Sequence, residues 1–224
     1  MRLARRALRP ALFGLAALPI VVLAVQLYLV YTGQSPDLLG AEPVERLQHE
    51  TGQLALRFVA FTLAVTPLRR LTGWNHLATY RRMLGLFAFF YATAHLLVFA
   101  VLDLELDLAE VAGEIVKRPY ITVGMLSWLM LAPLAVTSTR GWIRRLKGGR
   151  WARLHRLTYL VAIGGTVHFW WSVKKDVTEP LIYALVFAVL LGYRLLTRRP
   201  SARAGASRPD RGGMIGDATA RPRR

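Results

Sequence analysis

Residues Trp151 to Val173 read WARLHRLTYLVAIGGTVHFWWSV. The stretch is apolar enough to cross a bilayer, yet it carries His155 and His168. A second apolar stretch, Met83 to Leu102, carries His95. An ionisable ring in hydrocarbon is costly, so it marks a functional site by default.

The surrounding composition fits a membrane protein. Of 224 residues, 54% are hydrophobic, and the mean hydropathy is +0.34. The apolar residues fall in long blocks, which an ordinary soluble domain does not show. There is no cysteine. That excludes disulfides, iron–sulfur and zinc–thiolate sites and covalent haem attachment. The net charge of +17 raises nucleic acid as a partner, but the charges lie between apolar blocks, where membrane topology explains them and nucleic acid is not needed.

Six spans are predicted, giving an all-α, polytopic six-helix bundle. They are Ala11–Tyr31, read as an uncleaved first helix, Gly52–Leu68, Met83–Leu102, Pro119–Val136, Trp151–Val173 and Pro180–Leu196. Lengths near 20 residues match the hydrocarbon thickness. The expected organisation is a basic N-terminus over 1–10, a transmembrane domain over 11–197 and a disordered basic tail over 198–224. Of the 30 Lys and Arg residues, 24 fall in the N-terminus, the 69–82 and 138–156 segments and the tail from Arg194. Eleven of the 13 acidic residues fall on the opposite side. The positive-inside rule then places both termini in the cytoplasm. The basic 138–153 segment orients the bundle and meets anionic lipid, or else docks a flavin or a soluble reductase.

Depth relates the histidines. The third and fifth spans both run outward. His95 lies 12 residues past Met83 and His168 lies 13 past His155, so both sit roughly 18–20 Å above the inner boundary. Two imidazoles at one depth on parallel helices suit the two axial positions of one haem b in the outer half of the membrane. The alternative is two buried imidazoles hydrogen-bonded to neighbours. Gly164 and Gly165, one turn before His168, are expected either to admit a flat macrocycle or to let helices pack closely. His155 is a candidate ligand of a second, inner haem, with His76 as a possible partner. It reads equally as a boundary histidine, because a 13-residue helical step leaves it about 140° from His168. Arg57 reads either as a partner for a haem propionate or as a side chain reaching the outer headgroups. Trp170 and Trp171 read as interfacial aromatics. His49 and His76 are read as loop histidines of little weight.

No nucleotide-binding fingerprint and no soluble redox domain occurs, so hydride cannot be taken from a nicotinamide unaided. The donor must be quinol or a separate reductase. An electron-transfer subunit without catalytic residues of its own is the first reading. A stand-alone transmembrane metal or oxygen reductase is the second. A proton-relay transporter is the third, disfavoured because the spans hold no acidic residue.

RRMLGLFAFFYATAHLLVF, KRPYITVGMLSWLMLAPLAVTST and RWARLHRLTYLVAIGGTVHFWWSVK resemble the ferric-reductase-like transmembrane family, and within it the MsrQ (YedZ) branch. The resemblance spans roughly residues 10–197. It implies a haem-binding bacterial inner-membrane cytochrome that passes electrons from the quinone pool, or from a cytosolic flavin reductase, to a periplasmic molybdenum-containing methionine-sulfoxide reductase subunit. It places the haem-ligand histidines on His95, His155 and His168. It also implies FMN, for which no residue is singled out.

Overall fold

A computed structural model describes residues 2–197, with side chains from Leu8 onward. The expected disordered tail over 198–224 lies outside the described residues. Nine α-helices follow one another: α1 (Arg2–Tyr31), α2 (Pro43–Thr72), α3 (Arg81–Leu97), α4 (Leu108–Lys117), α5 (Pro119–Val136), α6 (Arg140–Arg145), α7 (Lys147–Leu154), α8 (Leu157–Ser172) and α9 (Thr178–Leu196). Two 3-10 turns (Pro36–Leu39, Asn75–Thr79) and a π-helical turn (Val98–Asp103) complete the described chain.

Five segments are long and apolar enough to cross a membrane: Leu8–Tyr31, Pro43–Thr72, Arg81–Asp103, Pro119–Val136 and Thr178–Leu196. The helix at the expected fifth span is shorter than sequence reading predicts. α7 ends at Leu154, and the chain turns through His155 and Arg156 before α8 begins at Leu157. Just before the break the Trp151 indole N–H donates to the Thr137 carbonyl at 3.0 Å, tying α7 to the end of α5. α8 nevertheless runs the full length of α5. His168 near its end meets the Tyr120 carbonyl at the start of α5, while the chain just before α8 meets Thr137 at the end of α5.

Other boundaries shift for local reasons. The stretch Pro43–Glu50, read as loop, begins α2. Pro43 occupies the first helical position and Glu45 lies in the first turn, both good helix starts. The acidic 103–118 segment contains α4, capped by Asp107, whose carboxylate accepts from the Ala109 and Glu110 amides. The basic 138–153 segment folds into α6 and α7. The basic N-terminus continues α1 from Arg2.

α2 is the central helix. In its most apolar window 56% of residues are buried, against 11–22% in the other four segments. It packs on α3, α8 and α9, while α5 packs on α8 and α3. Within a bilayer, helices associate through close packing and hydrogen bonds, because lipid is as apolar as leucine. Both are present here. Phe58 stacks on Tyr91 with centres 5.2 Å apart, and the Tyr91 hydroxyl donates to the Ala16 carbonyl at 2.6 Å, tying α1 to α3. Pro67 has no N–H for the Leu63 carbonyl one turn earlier. Arg194 of α9 donates to that carbonyl instead.

Candidate functional site

His95 projects from the last turn of α3 and His168 from the last turns of α8. Their ring centres are 6.0 Å apart and their planes cross at 79°. The equal depth read from the spans therefore corresponds to a real juxtaposition.

Each ring is seated by the same device. His95 Nδ1 lies 2.9 Å from the Gln48 carbonyl, and an alanine Cβ at position 52 would come within 3.1 Å of that nitrogen. His168 Nδ1 lies 2.7 Å from the Tyr120 carbonyl, and a Cβ at position 124 would come within 2.7 Å. In α2 and again in α5, a carbonyl and a glycine four residues later form a notch that receives an imidazole edge. Residues four apart share a helix face, so the missing side chain opens the space beside the carbonyl. Thr51 adds a second oxygen at 3.4 Å from His95 Nδ1.

A carbonyl only accepts, so both Nδ1 atoms must carry the proton. This leaves the Nε2 lone pairs available. Orientation of a ligating histidine through its other nitrogen is the usual support for a metal site. An imidazole nitrogen binds a first-row metal at about 2.0 Å with its ring centre about 1.1 Å further out, so two rings flanking one ion have centres about 6.3 Å apart. The observed 6.0 Å fits. Among the described residues no group of three or more His, Cys, Asp or Glu side chains could hold a bare metal ion. His95 and His168 would hold a haem through their Nε2 atoms, with the macrocycle supplying the remaining coordination.

The remaining candidates are placed elsewhere. Gly164 and Gly165 do not face a macrocycle: Gly164 meets Ser127 of α5 and Gly165 meets Leu56 of α2, so both serve helix packing. Arg57 is exposed on α2 and bonds to Gln53 and the Tyr183 hydroxyl. Five residues past Gly52, it is turned about 140° from the notch. His155 stacks on Trp151 with centres 3.9 Å apart, and its Nε2 is 3.4 Å from the Thr137 hydroxyl. Because the helix breaks there, the angular argument separating it from His168 does not apply. His155 lines a pocket of about 200 Å³ with Arg81, Arg82, Ser138, Trp151 and Thr158. His76 does not line it; it stacks on Trp74 in the Asn75–Thr79 turn.

Sequence reading missed Gly52, Gly124 and the carbonyls of Gln48 and Tyr120. The carbonyls have no residue signature, and the glycines become informative only once the facing helix is known.

Comparison with known proteins agrees with this architecture. The family described as the ferric reductase like transmembrane component matches residues 51–166. The protein-methionine-sulfoxide reductase heme-binding subunit MsrQ of Xanthomonas euvesicatoria pv. vesicatoria is 51% identical over 198 residues, covering 87% of this chain and 90% of the relative. The protein of the same name from Xanthomonas campestris pv. campestris is 49% identical, covering 91% and 94%. That from Ralstonia nicotianae is 47% identical, covering 90% of each. No solved structure is detectably similar. With half of its residues shared along nearly the whole length of such relatives, this multi-pass chain belongs to the MsrQ family, within the ferric-reductase-like transmembrane class.

Proposed function

We propose that this chain is the membrane electron carrier of a methionine-sulfoxide reductase system, holding one haem b between His95 and His168. The observation that carries the reading is the pair of imidazoles with centres 6.0 Å apart, each held by a carbonyl at Nδ1. The relatives' name, heme-binding subunit, supports the same cofactor. A bound haem supplies a one-electron couple in the outer half of the membrane. The protein's part is to fix both tautomers and ring directions through the two notches and to surround the site with apolar helices.

In this reading α8 is a sixth crossing, supported by its run along the whole of α5. Both termini are cytoplasmic, supported by the segregation of basic and acidic residues. The transmembrane domain occupies residues 11–197 of a bacterial inner-membrane protein. Electrons enter from quinol or from a cytosolic flavin reductase. They leave to a periplasmic molybdenum-containing subunit that repairs oxidised methionine. The inner pocket is the place for a second haem on His155, with Arg81 and Arg82 suited to its carboxylates. FMN rests on family membership alone.

A reduced-minus-oxidised visible spectrum of the purified protein tests the reading. Intense b-type bands are expected, and colourless protein refutes it. Turnover of an external acceptor by the isolated chain with a quinol analogue would instead support a stand-alone reductase.

A further inference from the structure

The outer end of α2 and the start of α9 share a polar cluster that haem binding leaves unused. His49 Nε2 lies 3.0 Å from Glu179 Oε2. The Gln53 amide nitrogen lies 2.8 Å from the same His49 nitrogen and also donates to Glu179. His49 Nε2 thus has a partner in either protonation state. Neutral, it accepts from the Gln53 amide; protonated, it donates to the Glu179 carboxylate. The side chains are 43% and 48% exposed, open to the outer side.

The cluster adjoins the imidazole pair at two points. His49 follows Gln48, whose carbonyl holds His95. Its ring also meets Phe169 edge-on, with centres 5.8 Å apart, and Phe169 follows His168. A charge at His49 therefore lies beside the place where an electron would arrive.

We propose that His49, with Glu179 as counter-ion, is a proton-accepting site linked to the outer haem. The inference rests on the haem reading above. Were a haem held by His95 and His168 to gain one electron, from quinol or a mediator dye, one proton from the outer water would form an N–H bond at His49 Nε2. The contact with Gln53 then gives way to the one with Glu179. When the electron leaves, the proton returns to water. Histidine is the side chain whose charge changes near neutral pH. Coupling between two such sites is typically about 5–150-fold in an equilibrium constant, and tenfold lies within that range. The coupling is reciprocal: what favours the proton favours the electron.

The other charged and titratable groups around the pair are few. α2 contributes Glu45, one turn before His49, together with Arg57 and the Arg46–Glu50 ion pair at 3.3 Å. α9 contributes Tyr183, and α8 contributes His168 beyond Phe169. The connection from α8 to α9 contributes Lys174, Lys175 and Asp176. The Asp176 carboxylate accepts from the Thr178 amide at 2.9 Å, and hydrogen bonding to Thr178 holds its carboxyl below the usual range, so it stays ionised from pH 5 to 8.

The test is a mediated redox titration of the haem-loaded, full-length protein between pH 5 and 8, read from the visible spectrum. The midpoint potential is expected to fall as pH rises, by about 59 mV in all, the equivalent of tenfold coupling for one electron. His49→Gln should flatten the dependence with b-type bands unchanged. Glu179→Gln should reduce it, and serves if His49→Gln does not fold. Arg46→Gln should leave it intact. A wild-type potential independent of pH, or a dependence that survives both His49→Gln and Glu179→Gln, overturns the proposal while leaving the haem reading standing. Absence of b-type bands in the wild type would overturn the haem reading itself.

Discussion

Gly124→Ala isolates what the α5 notch does. The added Cβ would lie 2.7 Å from His168 Nδ1, 2.9 Å from Cε1 and 3.2 Å from Cγ. Contact between such atoms is comfortable only from about 3.5 Å, so the ring must retreat by about 0.8 Å. Its 2.7 Å contact with the Tyr120 carbonyl would then open to about 3.5 Å, beyond a useful hydrogen bond. The hydrogen bond alone is worth about 0.5–1.5 kcal/mol. Loss of an orienting partner costs about 10–100-fold in metal affinity. Alanine is the better helix former by about 1 kcal/mol, so the helix should survive while the site weakens. The assay is haem titration of apoprotein in detergent, with the visible spectrum reporting axial ligation and circular dichroism reporting helix content. The expected result is weaker binding and altered bands at unchanged helicity. Gly192→Ala, with nothing within 4 Å of its added Cβ, should match wild type. Wild-type haem affinity and bands in Gly124→Ala would refute the notch argument.

Further outcomes follow from the same geometry. Gly52→Ala should weaken haem binding less than Gly124→Ala, because its Cβ meets His95 at 3.1 Å and the ring need give only a few tenths of an ångström; the same titration ranks them. His95→Ala and His168→Ala should each abolish the outer b-type bands, and bands that persist in either would remove that residue as a ligand. His155→Ala should leave those bands in place while lowering the haem-to-protein ratio, and an unchanged ratio would remove the second, inner haem. Arg194→Met should destabilise the protein by about 1–3 kcal/mol, because the Leu63 carbonyl above Pro67 loses its donor. Thermal unfolding in detergent measures that loss, and Arg194→Lys should restore part of it.

Five of the six expected spans are matched by helices long and apolar enough to cross, because hydrocarbon imposes a length and a composition on each crossing. Pro119 opens α5 and Leu196 closes α9, as read. The helices inside the charged connections were not legible. α4, α6 and α7 are short, and their polar composition reads equally as loop. His49 reads as a loop histidine because Thr32–Glu50 carries turn-forming and acidic residues; in the structure Pro43–Glu50 is helical and His49 stands against α9. Gly164 and Gly165 were visible but ambiguous. A glycine pair next to a histidine permits close approach without saying of what, and only the positions of Ser127 and Leu56 decide.

By itself the sequence determined the membrane class, the segregation of basic from acidic ends, and the equal depth of His95 and His168 along their helices. Each of these depends only on position along the chain. Rotation of each helix about its axis was decided by the tertiary structure alone: that both imidazoles turn toward each other, that Gly52 and Gly124 lie behind them, and that Arg57 turns toward α9. Hydropathy is nearly uniform around a lipid-embedded helix, so the chain carries little record of which face meets a neighbour. Packing and the hydrogen bonds made by individual side chains select it.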